Sequence, residues 1–171
     1  MTGATKQVGV VIRRSKVDHA WIDHVWSPEA ILPEAPETAP KTGLGATGEV
    51  ELFYAGIGTL ELYTSETANY RDNLIEGKPQ VWVALRTQPE SGDVELVHVT
   101  ADPTEGETLM EAGADIVSPV PMPAEIAGWI AAFVDEHHVE RVFHKRKRDK
   151  SGPDPRKNPG LKMREREGGE A

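Results

Sequence analysis

The chain has no cysteine among its 171 residues. That absence removes disulfides, thiolate zinc sites, cysteine-held iron–sulfur clusters and cysteine nucleophiles together. Aromatic residues amount to only 6%, and none lies beyond Phe143. The C-terminal stretch therefore lacks the stacking platform on which single-stranded nucleic acids are held. No apolar run approaches the roughly 18 residues of a spanning helix, so no membrane insertion is expected. The opening Met1-Thr-Gly-Ala-Thr-Lys6 has no apolar stretch behind its lysine. It does not read as a secretory signal, and a cytoplasmic location is the expectation. The phosphate loop Gly-x-x-x-x-Gly-Lys-Ser/Thr and the hydrolase elbow Gly-x-Ser-x-Gly are both missing. No repeat at a solenoid period occurs.

What is present is charge, unevenly divided. Lys and Arg number 19 against 28 Asp and Glu, a net charge of −9. Residues 1–140 carry −15 of this and residues 141–171 carry +6. An acidic body thus bears a basic tail. Hydrophobic residues are 38%, below the roughly 45–50% of globular chains, a figure that also counts glycine. From Lys145 to Ala171 only Leu161 and Met163 are large and apolar. Such a segment cannot offset its ordering entropy by burial. The expected organisation is one domain over 1–144 and a disordered basic tail over 145–171.

Within the domain, Val8, Val10 and Ile12 alternate, predicting a strand over 7–13. A second strand is read over 20–26, carrying Trp21, Ile22, Val25 and Trp26. Pro33 to Gly48 holds three prolines and three glycines, which predicts a mobile loop over 33–48. Glu49–Ala55 and the run around Leu60 and Leu62 read as a hairpin turning at Gly56-Ile57-Gly58. A helix capped near Thr64 or Ser65 follows, with Tyr70 and Leu74 on its buried face. Val81–Leu85, apolar throughout, predicts a central strand, and Val94–Thr100 another. Asp102, Pro103 and Glu105 spell a helix start with a capping box. Pro119, Pro121 and Pro123 read as a stiff extended connector. Ile126, Trp129, Ile130, Phe133, Val134 and His137 form a helical stripe facing the core. The expected fold is α+β: an antiparallel, barrel-like sheet of five to seven strands packed with about three helices.

Each chemical motif has a bland counterpart. Gly43-Leu44-Gly45-Ala46-Thr47-Gly48 matches Gly-x-Gly-x-x-Gly, yet a loop precedes it and a strand follows, which is the wrong context for a dinucleotide fingerprint. Asp18-His19 and Asp23-His24 stand five apart, a spacing that places both histidines on one face of neither a strand nor a helix. The polar flanks of Trp21 and Trp26 are the simpler reading. His137 and His138 close a helix, where imidazolium complements the dipole. The carboxylates Glu49, Glu51, Glu61, Glu105, Glu107 and Glu111 follow the pattern of solvated faces. The one strong charge feature is Lys145, Arg146, Lys147 and Arg148, read as a partner-binding handle. No catalytic residue, metal ligand or cofactor is assigned.

A set of motifs adds a resemblance. Val10-Val11-Ile12-Arg13-Arg14 is followed by Trp21, Trp26-x-Pro28 and Ile31-Leu32-Pro33. Glu66-Thr67-x-x-Tyr70-Arg71-x-Asn73-Leu74 leads to Pro79-x-Val81-Trp82-Val83-x-Leu85-Arg86. Pro121-Met122-Pro123, Trp129-Ile130, Phe133-Val134 and Phe143-x-Lys145-Arg146-Lys147-Arg148 complete it. Over about residues 7–148 the chain resembles the bacterial family called domain of unknown function 3305. The resemblance implies a context among accessory genes of molybdenum-dependent formate dehydrogenases, where some members are labelled molybdopterin-guanine dinucleotide biosynthesis proteins. A guanylyltransferase of that kind carries a glycine-rich stretch after its first strand. Here the strand runs into Arg13-Arg14-Ser15-Lys16-Val17-Asp18 without a glycine. The expectation is a non-catalytic accessory or adaptor protein for such an oxidoreductase, with a molybdoenzyme subunit or its chaperones as partner. A nucleic-acid or regulatory module using the basic tail is the alternative, and nucleotidyl transfer the disfavoured one.

Overall fold

The computed structural model describes residues 3–138. Seven strands form two antiparallel sheets. The first has the order β2-β1-β4-β3, from β1 (Gly3–Lys16), β2 (His24–Leu32), β3 (Thr42–Thr47) and β4 (Val50–Tyr63). The second has the order β6-β5-β7, from β5 (Gln80–Thr87), β6 (Val94–Thr100) and β7 (Ile116–Pro121). Helices α1 (Thr67–Ile75), α2 (Pro103–Ala112) and α3 (Ala124–His137) complete the α+β architecture.

Alternation builds the core. Val8, Val10 and Ile12 of β1, Leu60 and Leu62 of β4, and Val81, Val83 and Leu85 of β5 are all buried in one cluster. Ile126, Ile130, Phe133 and Val134 of α3 join it, as the stripe predicts. Tyr70 of α1 meets Phe133 edge-on, 6.3 Å between ring centres. Its hydroxyl accepts the Tyr63 N–H at 2.9 Å, and burial pushes it up to about 12. The central β5 is covered on both faces, and its outward Trp82 lies against α2. Gly106 makes that contact possible, because a Cβ there would stand 2.3 Å from Trp82 Cγ.

Several elements differ from the sequence reading. The second strand is β2, starting at His24, and Trp21 lies outside it, 88% exposed. β2 runs on through Pro28 because it is an edge strand, where a missing N–H leaves no central ladder broken. The predicted loop 33–48 holds β3, whose residues are all exposed and so carry no alternation to read. The predicted hairpin at Gly56–Gly58 is one continuous strand, β4. Gly58 marks a close approach rather than a turn, since a Cβ there would lie 2.9 Å from Val99 Cγ2, and Gly56 has a φ of +124°. The reversal instead falls at Gly48, φ +61°, between β3 and β4.

The proline connector is in part β7, an edge strand that admits Pro119 and Pro121. A 3-10 turn over Thr64–Glu66 precedes α1, which has no side-chain cap. Asp102 does cap α2, accepting from the Thr104 and Glu105 N–H groups at 2.9 and 3.4 Å. The reciprocal half of the box runs through a third residue. The Asp102 N–H donates to the Thr100 hydroxyl, which donates to Glu105. Trp129, expected in the core, is half-buried, with the Lys6 ammonium 5.9 Å from its ring centre. The sheets face each other with β4 beside β6 and β2 beside β7. Neither seam carries a ladder, so the barrel-like curl stays open at both.

Candidate binding groove

One end of the β4/β6 seam is built by sheet register. On the β1 ladder Arg14 stands opposite Trp26 of β2 on one side and Glu51 of β4 on the other. The guanidinium pairs with Glu51. It also lies 5.4 Å from the Trp26 ring centre and 4.9 Å from that of Phe53, a cation–π arrangement. Arg14 Nε is buried without a hydrogen-bond partner among the described residues, as expected of a group enclosed by ring faces.

The turn between β5 and β6 is tied to this cluster twice. Trp26 donates its indole N–H to the Gly92 carbonyl at 3.0 Å, and Lys41 reaches Asp93 at 3.4 Å. Lys41 has φ +72°, a left-handed backbone that costs a non-glycine residue roughly 1–2 kcal/mol. Its N–H donates to the Tyr54 carbonyl at 2.7 Å, which holds the turn that launches β3. Ile12, Arg14, Trp26, Lys41, Phe53, Asp93 and Val94 enclose a cavity of about 170 Å³.

That cavity opens into a longer groove. A second hollow of about 420 Å³ shares Ile12, Lys41 and Val94 with it and continues along Ala55–Ile57 and Val94–Leu96. A third, of about 270 Å³, shares Ile57 and Leu96 and reaches Glu61 and Val99. The lining runs through consecutive residues of both strands. Residues of both parities line it, so strand edges face the groove rather than one side-chain face. β6 is the last strand of its sheet, and β4 beyond Tyr54 has lost its β3 partner. Among the described residues no backbone hydrogen bond joins β4 to β6.

At the far end of the groove His98, which lines the third hollow, meets Glu105 at 2.5 Å. That hydrogen bond raises the His98 pKa against its partial burial and lowers that of Glu105. Tyr54 lies on the other face of β4, its ring over Gly9 beside Pro36. Its hydroxyl is buried without a partner among the described residues, and desolvation raises its pKa.

The residues singled out by sequence are not gathered here. Lys145, Arg146, Lys147 and Arg148 lie outside the described residues, as does the tail expected to be disordered. His19 and His24 are exposed, and no group of three or more metal-ligating side chains forms among the described residues. Gly43 and Gly45 belong to β3 and precede no helix. Arg14 and Trp26 stood in the motifs without a role, and their register could not be seen. Lys41, Ile57, Leu96 and Val97 had no local signal.

The fold and the groove together define a two-sheet α+β protein with a strand-edge recess beside an arginine–aromatic cluster. The chain belongs to the family described as Protein of unknown function (DUF3305), which matches residues 7–147. No curated protein and no solved structure matches it. Among the described residues no helix is long and apolar enough to cross a membrane.

Proposed function

We propose that the protein is a non-catalytic accessory or adaptor protein in the biogenesis of a molybdenum-dependent formate dehydrogenase or related oxidoreductase. The observation that carries the adaptor reading is the groove between β4 and β6, a recess walled by two unpaired strand edges. Such edges are templates for pairing with another chain. The formate dehydrogenase context comes from the family resemblance. The competing nucleotidyltransferase reading finds no support at the first strand. Its end carries Arg14, committed to Glu51, Trp26 and Phe53 instead of a glycine cradle for phosphates.

The test is affinity capture of the full chain from its native cell. Molybdoenzyme subunits or their chaperones among the co-purifying proteins support the proposal. RNA or DNA as the bound species would overturn it and transfer the role to the basic run Lys145–Arg148. Magnesium-dependent turnover of guanosine triphosphate by the purified protein would overturn it in the other direction.

A further inference from the structure

We infer that the β1–β2 turn, residues 17–23, is a second docking surface: a tryptophan knob that seats in an apolar pocket of a partner protein rimmed by lysine or arginine. The inference rests on the adaptor reading for its partner but needs nothing from the groove. Nine large apolar side chains are exposed among the described residues, and three of them, Trp21, Ile22 and Val25, fall within five consecutive positions. Trp21 is 88% exposed, whereas Trp82 is buried and Trp26 and Trp129 are half-buried. A single exposed valine or leucine is ordinary on a protein surface. An indole offered almost whole to solvent beside further apolar side chains marks a contact site, and tryptophan is enriched among the residues that dominate binding energy. The knob is also preformed. β1 and β2 stay paired as far as Lys16 opposite His24. Past that pair the Val17 N–H donates to the Asp23 carbonyl at 3.1 Å, and the Lys16 N–H ties the base to the Glu49 carbonyl at 2.9 Å. The Trp21 N–H donates to His19 Nδ1 at 3.2 Å. A held backbone lowers the ordering cost of binding, and an indole has only two side-chain torsions to lose.

Three surfaces could cover such a knob, and its flanks decide between them. Asp18 and Asp23 stand on either side of the tryptophan, both exposed, and neither has an ion pair among the described residues. His19 does not offset them, because an Nδ1 that accepts a hydrogen bond carries no proton and leaves the ring neutral. With residues 1–140 at −15, an anionic bilayer repels this face, and so does a second copy of the same acidic body. A protein pocket with an apolar floor and a cationic rim is attracted. Its floor takes Trp21 and Ile22, and its rim meets Asp18 and Asp23.

The test places a photoreactive benzophenone side chain at position 22 of the full chain in its native cell, and maps the crosslinked peptides by mass spectrometry. The expected adduct is with another protein, on a segment carrying lysine or arginine beside apolar residues. In the same background Asp18→Lys/Asp23→Lys should lower the adduct yield roughly tenfold, and Trp21→Ala by roughly tenfold or more. Both variants should melt with the parent, because all three side chains are exposed. Vesicles of phosphatidylglycerol and of phosphatidylcholine are the counter-probe, and the wild-type chain should sediment with neither. Five results overturn the inference: adducts only with lipid or a second copy, yields no higher than from the same group at the exposed Glu90, an adducted segment without lysine or arginine, yields that survive either variant, or vesicle binding that Trp21→Ala abolishes. If native-cell capture recovers a protein partner while no adduct forms at position 22, the knob fails and the adaptor reading stands. If neither a captured protein nor an adduct is found, both fail.

Discussion

Gly106 and Tyr54 show how single residues decide opposite outcomes. In an exposed helix, Gly→Ala stabilises by about 1 kcal/mol. At Gly106 the new Cβ would sit 2.3 Å from the Trp82 indole, so Gly106→Ala should instead destabilise by about 1–3 kcal/mol. Urea unfolding of the variant checks it, and any gain in stability would show that Trp82 does not pack there. Tyr54→Phe should act the other way. Its hydroxyl is buried and unpartnered among the described residues, and removing an unsatisfied group recovers about 1 kcal/mol or more. A clear loss on Tyr54→Phe would mean that the hydroxyl has a partner. Neither residue could be valued from sequence. The glycine's role is set by an indole 24 positions away, and the tyrosine's ring lies with Pro36 over Gly9 of β1, far from it in sequence.

At the scale of elements, local chemistry was legible wherever it was self-contained. Asp102 and Pro103 announce α2 because a cap is a contact within a few residues. Val81–Leu85 announces a buried strand because all five side chains are apolar and covered. Illegible features depend on distant partners. Gly56 and Gly58 read as a turn, yet Gly58 serves the approach of β6 and Gly56 takes a φ of +124° within the continuous strand. β3 was invisible because nothing on it is buried.

The β6–α2 junction gives a pH prediction. His98 is raised above its ordinary 6.5 by its hydrogen bond to Glu105, and Glu105 is lowered from 4.5 by the same bond. The histidine's contribution is complete below pH 6.5 and is lost as pH rises through its raised value. The glutamate's is complete above pH 4.5 and is lost as pH falls through its lowered value. Both are present between about pH 4.5 and 6.5. His98→Gln should therefore lower the melting temperature most within that window and least near pH 9. An equal loss at both ends would contradict the pairing.

For the whole molecule, one core joins two sheets and α3, and its stripe was the most legible long-range feature of the chain. Phe133 is buried against Tyr70 and His137. Phe133→Ala should cost about 3–5 kcal/mol, measured by denaturant unfolding, and a cost below about 1 kcal/mol would place the stripe outside the core. The α+β class and the antiparallel strands followed from alternation. The division into two sheets did not, because pairing between strands far apart in sequence leaves no local trace. The groove was hidden for the same reason: it exists only where β4 and β6 fail to pair.

The central proposal is that this groove is where an adaptor protein would hold its partner. The most direct measurement is quantitative affinity capture from the native cell, with the wild-type chain and an Ile57→Lys variant, at an exposed position lining both hollows of the groove, run in parallel. The account predicts a molybdoenzyme subunit or chaperone on the wild type, and recovery reduced roughly tenfold on the variant despite an unchanged melting temperature. Equal recovery of the same partner by both chains would contradict it.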